Sequence, residues 1–267
     1  MRNLRPRFVL ALSLLVITAA TSAAQQPFIT DDADATEKGH FHFQFSNQFD
    51  LLHRASLPAT KQNTATFALD YGLLDGLEIG VDAPLLTLFN APGTDPRRPS
   101  GIGDTNFAVK YNFLKESEHS RRPALAIVGN LEFPTGNTTN GLGSGLTDFY
   151  MNGILQKTVT KSVTFRLNGG ILFAGNGTTG AEGFRTLGTV YTGGGSLTKQ
   201  FTPKLLLGVE LTGASNGNFN LGAALLQTTI GGNYQIRKNA TLDFGILAGK
   251  HEASPRFGAL VGISIDF

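Results

Sequence analysis

Between Phe257 and Phe267 an apolar side chain recurs at every second residue. Phe257, Ala259, Val261, Ile263, Ile265 and Phe267 share one face, while Gly258, Gly262, Ser264 and Asp266 share the other, with Leu260 as the exception. A period of two places successive side chains on opposite faces of a β-strand and does not match a helix face. The pattern repeats in Leu205, Leu207, Val209 and Leu211 against Gly208, Glu210 and Thr212, and in Val163, Phe165, Leu167, Ile171 and Phe173 against Thr164, Arg166, Asn168 and Gly170. It is already present in Phe41, Phe43, Phe45 and Phe49 against His40, His42, Gln44 and Gln48. Such segments lie at about 39–53, 60–72, 75–89, 100–114, 122–135, 144–159, 161–174, 186–200, 203–215, 222–237, 239–250 and 255–267, twelve in all. Most exceed the ~9–11 residues with which a tilted strand crosses a bilayer.

The chain opens with Arg2, Arg5 and Arg7, then an apolar run from Phe8 to Ala20, with small Ser22 and Ala24 before Gln25. That is the layout of a secretory leader over 1–24, and its apolar core is shorter than the roughly 20 residues of a spanning helix. Without the leader's three Arg, 19 basic residues face 20 acidic ones, net −1, so the charge gives no support to nucleic-acid binding. Downstream, no apolar run approaches spanning-helix length, so a membrane crossing would have to be made by strands. With no Cys in the chain, disulfides, thiol catalysis and Cys-based metal sites are excluded.

The connections alternate between two kinds. Leu73–Asp75, Val159–Lys161, Phe201–Pro203 and Arg237–Asn239 are very short, with the charged stretch Lys115–Arg121 the longer member of that set. Asn90–Pro99, Gly136–Gly143, Gly175–Arg185 and Asn216–Leu221 are longer and rich in Gly, Asn, Thr and Pro. Short turns at one end and polar loops at the other are the pattern of a transmembrane antiparallel β-barrel, with short periplasmic turns and longer extracellular loops. The expected all-β organisation is an acidic N-terminal segment, 25–38, followed by a barrel of about twelve strands over 39–267, both termini periplasmic. A soluble sandwich would show the same alternation but would need an unusually large core. Interfacial belts usually favour Trp; with none here, Phe and the five Tyr must serve.

With the apolar face on lipid, the lumen receives Asp70, Glu78, Asp82, Asp104, Glu132, Asp148, Glu210 and Asp243 against Lys110 and Arg166. Asn106, Asn130, Asn152, Asn168, Gln227 and Asn233 fall on the same face. One reading is a narrow polar path favouring neutral solutes or cations. The other is a lumen closed by these carboxylates pairing with Lys110, Arg166, Arg97 or Arg98. Twelve strands ~4.8 Å apart and tilted ~40° close at a backbone radius of about 12 Å, so only a small solute or ion would pass. The acidic segment, with Asp31, Asp32, Asp34 and Glu37, either enters the lumen as a plug, meeting Lys110 or Arg166, or hangs as a solvated periplasmic tail.

Other signals point to no chemistry. The five His, at 40, 42, 53, 119 and 251, accompany no G-x-S-x-G nucleophile motif. Glu78 and Asp82 lie four strand residues, ~13 Å, apart, too far for joint acid–base work. His40 and His42 have metal-compatible spacing without a further ligand, and read as a solvated pair near the rim. Asn137-Thr-Thr139 and Asn176-Gly-Thr178 read as turn residues, and Gly193-Gly-Gly195 as a place where a strand bends or makes room for side chains opposite it. No cofactor is expected.

Several short motifs occur in order along the chain: Pro27-Phe-Ile-Thr-Asp-Asp32 with Glu37-Lys38-Gly39; Gly101-Ile-Gly-Asp104 leading into Lys110-Tyr111; Pro134-Thr-Gly136; Gly141-Leu-Gly-Ser-Gly145 with Asp148; and closing Ile265-Asp-Phe267. In these the chain resembles the outer-membrane transporter family named for the MetA pathway of phenol degradation. The resemblance implies a bacterial outer-membrane barrel, in contact with outer-membrane lipid, that passes small-molecule solutes, with aromatic or hydrophobic compounds suggested by the family's name. The terminal aromatic Phe267 looks like the signal by which outer-membrane assembly machinery recognises its clients. The alternatives are a closed structural or adhesive barrel acting through its loops and, third, a membrane-embedded hydrolase.

Overall fold

The structure is a computed structural model that describes residues 26–53, 59–91, 97–117, 122–174, 177–178, 185–186, 189–216, 225–251 and 253–267. The leader expected at 1–24, Gln25, His119, Asn176 and much of the loops expected at 175–185 and 216–221 lie outside the described residues.

Twelve strands form one closed antiparallel barrel. They are β1 Phe41–Leu51, β2 Lys61–Leu74, β3 Leu77–Phe89, β4 Thr105–Leu114, β5 Ala124–Phe133, β6 Asp148–Thr160, β7 Val163–Ala174, β8 Val190–Thr202, β9 Leu205–Asn216, β10 Leu225–Arg237, β11 Ala240–Gly249 and β12 Phe257–Asp266. Each pairs with the next, and β1 closes on β12 from His42 opposite Asp266 to Leu51 opposite Phe257. The seam is reinforced at its end, where Phe41 N–H donates to the Phe267 carbonyl at 2.7 Å and Phe267 N–H returns to Phe41 at 3.0 Å. Closure leaves no sheet edge, which is what allows a β-structure to sit in hydrocarbon.

Burial is inverted relative to a soluble protein. Phe67, Leu211, Ile230 and Val261 stand on the outer surface, whereas Glu210, Asp243, Thr229 and Ser196 are enclosed. Phe41 lies 4.7 Å from Tyr71 and 5.7 Å from Phe267 (ring centroids) at the end holding the termini, and the pairs Phe49–Phe89 and Phe149–Phe173, at 5.9 and 6.3 Å, lie at the other end. These rings occupy the interfacial levels that Trp and Tyr usually fill. One of the five Tyr is not in a belt: Tyr150 turns inward, its hydroxyl 2.9 Å from Thr192 Oγ1.

The short turns share one device. The pairing slips by one residue at Gly72/Leu74, Asn112/Leu114, Thr158/Thr160, Gln200/Thr202 and Gln235/Arg237, each time just before the chain turns at the terminal end. A bulge there increases twist and brings the chain round in few residues.

The segment expected as one strand over 100–114 is divided. Ser100–Ile102 pairs with Leu85–Thr87 of β3, β4 pairs with Leu77–Asp82, and Gly103-Asp104 intervene. Opposite the break stands Pro84, which has no N–H to offer the ladder, while its carbonyl still accepts from Gly103 N–H at 2.8 Å.

Candidate functional site

The lumen is occupied by the protein's own N-terminal segment. Gly208, Gly231 and Gly245 are direct cross-strand neighbours on β9, β10 and β11, forming a trough without side chains on the inner wall. Pro27 and Phe28 lie in it: a Cβ at Gly231 would come within 2.6 Å of Pro27 Cγ, and one at Gly208 within 2.9 Å of Phe28 Cζ. Gly194, the middle residue of Gly193-Gly-Gly195, gives way in the same manner to Thr30, whose Cγ2 is 2.9 Å from where a Cβ would stand. The room made by that triplet is thus for the N-terminal segment as well as for Thr212 on the next strand. Further along, Ala33 enters a small apolar socket of Ala124, Ala126, Val128 and Ile154.

Polar contacts hold the segment from several sides. Thr30 N–H donates to Glu210 Oε2 at 2.5 Å and its hydroxyl to Ser196 Oγ at 2.8 Å. Asn233 Nδ2 donates to the Gln26 carbonyl at 2.6 Å and Asn112 Nδ2 to the Ala33 carbonyl. Both the N–H and the hydroxyl of Thr36 donate to Glu78 Oε2 at 2.7 Å. Lys38 then bridges to Gly72, and the chain passes into β1.

The wall's inward cations are engaged by this segment. Lys110 Nζ lies 2.9 Å from Asp31 Oδ1, 3.7 Å from Asp32 and 3.7 Å from Glu78, and donates to the Asp34 carbonyl at 3.3 Å. Arg166 Nη2 is 3.8 Å from Asp32 Oδ2, and its Nε donates to Gln156 Oε1 at 3.0 Å. Gln156 in turn donates to Asp34 Oδ2 at 2.8 Å. Burial pushes the Asp32 carboxyl up to about 6, although Lys110 and Arg166 both pull it down. Arg98 joins none of this: its guanidinium stacks 4.5 Å over Phe89.

Above the segment, toward the long loops, a cavity of about 670 Å³ remains, floored by Gln26–Asp31. Asp82, Asn106, Glu132 and Asp148 form one cross-strand row over β3 to β6 on its wall. Asn106 Nδ2 donates to Asp82 Oδ1 at 3.0 Å.

The residues expected along the lumen therefore fall into separate groups. Glu78, Lys110, Arg166 and Glu210 meet the N-terminal segment; Asp82, Glu132 and Asp148 line the cavity above it. Asp243, enclosed, accepts from Asn233 at 2.7 Å and Ser264 at 2.6 Å, and Asp70, half-buried, lies against Gly80. Asp104 leaves the strand series altogether, because it sits in the interruption between Ile102 and β4. Its carboxylate accepts Gly136 N–H at 2.9 Å and Ser144 N–H at 2.5 Å, while Thr135 Oγ1 donates to the Gly103 carbonyl at 2.8 Å. Three of the short motifs thus meet at one place and tie the 134–146 loop across the barrel mouth. His42 is enclosed with Nδ1 2.7 Å from Asp266, and His40 is exposed, so the two do not form a solvated pair. Asn137 caps a short 3-10 turn, accepting from Asn140 N–H at 3.0 Å. Nothing in the sequence distinguishes Gln156, Asn112 and Ser196, which also hold the segment. Their inward parity was readable, but not that the N-terminal segment would arrive opposite them.

At the turn end, Glu116 accepts from Lys157 Nζ at 2.7 Å and from Thr158 N–H and Oγ1, both at 2.9 Å. Against the upward pull of partial burial, these bonds hold its carboxyl below its usual range.

Among solved structures the fold is similar to the COG4313 outer membrane channel from Pseudomonas putida F1, at TM-score 0.70 and 16% identity over 88% of this chain and 98% of that one. It is also similar to the NanC porin, at TM-score 0.58 and 11% identity over 84% and 98%, and to the KdgM porin, at 0.57 and 10% over 85% and 99%. No curated protein sequence matches the chain. The family model described as "Putative MetA-pathway of phenol degradation" matches residues 26–267, which takes in the whole described barrel together with its lumenal segment, and the chain belongs to that family.

Proposed function

We propose that the protein is a narrow channel of the bacterial outer membrane for small molecules, and that its own N-terminal segment sets how far the lumen opens. The observation that carries this reading is the double engagement of Lys110 and Arg166 by Asp31 and Asp32. Cations on a barrel wall would otherwise face water; here they hold a removable strand of chain in the path. The segment crosses the lumen by side-chain and backbone hydrogen bonds rather than by joining the barrel ladder, so it can leave without breaking the sheet. The family's description and the buried leucines that line the cavity, Leu225, Leu247 and Leu260, support small aromatic or hydrophobic compounds as solutes. Exposed Phe267, stacked on Phe41, fits recognition by the outer-membrane assembly machinery.

The absence of Cys makes a direct test available. Thr30 Oγ1 and Ser196 Oγ are 2.8 Å apart, so Thr30→Cys with Ser196→Cys should form a disulfide that locks the segment in place. In planar bilayers the oxidised variant should show fewer and smaller openings than the wild type, and a reductant should restore them. Equal currents before and after reduction would refute gating by the segment. Silence from folded, inserted wild-type protein would refute the channel and leave a closed structural barrel.

A further inference from the structure

Part of the barrel's lipid-facing wall is polar. At the end that carries the long loops, Phe49, Asn63, Thr87 and Ser100 are direct cross-strand neighbours over β1, β2, β3 and the strip Ser100–Ile102. They share the outward face with exposed Phe67 and Leu85, as strand alternation requires. Asn47 lies on the same face and exchanges amide hydrogen bonds with Asn63 at 2.9 and 3.2 Å, and the Thr87 and Ser100 hydroxyls are 2.8 Å apart.

One row nearer the loops stand Phe257, Leu51, Lys61 and Phe89, with the Arg98 guanidinium stacked 4.5 Å over Phe89. Lys61 and Arg98 are exposed, and among the described residues neither makes an ion pair. The outward positions of β1, β2 and β3 hold no Asp or Glu. The wall here is therefore cationic at the membrane surface and, one strand repeat of about 7 Å further in, carries hydrogen-bonding groups. Polar groups in hydrocarbon are costly unless they are bonded. The two polar pairs satisfy each other only in part: the second Asn47 Nδ2 hydrogen and one hydroxyl hydrogen of the Thr87–Ser100 pair have no partner among the described residues.

We propose that this patch binds lipid A, the phosphorylated glucosamine lipid of the outer leaflet, with a phosphate on Lys61 and Arg98 and its 3-hydroxyacyl amide groups on the Asn47–Asn63 and Thr87–Ser100 pairs. The site faces lipid and does not depend on the lumen being a channel. Lys and Arg pair with phosphate, and the amides and hydroxyls just below the phosphates of this lipid both donate and accept. A glycerophospholipid supplies the phosphate but only ester oxygens below it. A second copy of the chain, packed by two-fold symmetry, would set Lys61 and Arg98 against like charge.

The test is native mass spectrometry of the refolded protein in detergent, titrated with diphosphoryl lipid A, its dephosphorylated form and phosphatidylglycerol. Diphosphoryl lipid A should bind at one copy per barrel and at least about tenfold more tightly than either competitor. Lys61→Gln with Arg98→Gln should bring it within about twofold of the dephosphorylated form, whereas Lys199→Gln, beside Phe201 at the turn end of the wall, should change nothing. Asn63→Leu with Thr87→Val, substitutions suited to a lipid-facing wall, should weaken lipid A about tenfold and leave phosphatidylglycerol unaffected. Equal affinity for lipid A and phosphatidylglycerol in the wild type, which needs no variant to fold, would overturn the proposal, as would an equal loss in Lys199→Gln. Dimers that disappear in the Lys61→Gln, Arg98→Gln protein would overturn it too, by giving the patch to a second copy of the chain.

Discussion

Replacing Lys110 by Met removes the cation that three carboxylates share. Its Nζ stands 2.9 Å from Asp31 and 3.7 Å from Asp32 and Glu78, and Lys110 is only 3% exposed. At an effective dielectric near 20, one unit pair at about 3.3 Å is worth about 5 kcal/mol. Removing one partner of a buried pair typically costs about 3–5 kcal/mol, because the charges left behind are uncompensated. Much of this cost falls on the segment, since Asp31 and Asp32 can return to water only by leaving the lumen, whereas Glu78 belongs to the wall. Taking about 4 kcal/mol, the in–out balance shifts roughly a thousandfold toward the vacated lumen. Single-channel recording of Lys110→Met should therefore show longer and larger openings than the wild type. A Cys at position 30, where Thr30 is fully buried, should react with a membrane-impermeant maleimide in the Lys110→Met background and stay protected in the Lys110 protein. Adding Asp31→Asn and Asp32→Asn to Lys110→Met removes the repulsion and should return most of the occlusion. If Lys110→Met remains as closed and as protected as the wild type, the ion pairs do not hold the segment and the reasoning fails.

Three further outcomes follow from other contacts. Gly245→Leu fills the trough that receives Pro27, its Cβ meeting Pro27 Cβ at 2.8 Å, and should expel the start of the segment, raising conductance while urea denaturation of the barrel changes little. Asp104→Ala leaves Gly136 N–H and Ser144 N–H without their acceptor, at about 1–3 kcal/mol each, so the 134–146 loop should become a site of proteolytic nicking in the folded protein. The Glu116 carboxyl is held below its usual range in the fold, so the stabilisation from its contacts with Lys157 and Thr158 is present above the unfolded pKa of about 4.3 and lost as pH falls through the lower folded value. Hydrogen exchange at Thr158 N–H, compared with that in Glu116→Gln, should show protection that disappears in acid only for the wild type.

The fold was readable from the chain because a barrel in lipid is specified strand by strand. Each segment carries its own period of two, and lipid on one side and water on the other impose the same rule on all twelve. Strand ends were less legible: the break at Gly103-Asp104 comes from Pro84 on the neighbouring strand, an effect of pairing that no single segment shows. Parity alone therefore places Asp104 among the lumenal acids, although it holds a loop.

The lumen was legible only as a list. Parity alone turned Glu78, Lys110, Arg166 and Glu210 inward, but their roles depend on a segment at least 40 residues away in sequence from each of them, which approaches through Gly208, Gly231 and Gly245. The glycines were visible as small residues on the polar face; that three of them form one row is a fact of register between strands. What the sequence by itself determined is the barrel, its inner and outer faces and its two kinds of ends, because these follow from local alternation and turn chemistry. Only the tertiary structure decided which acids neutralise the two cations and which remain around the cavity, because charges pair across the lumen by distance, and the closed ring and the returning N-terminal segment set those distances.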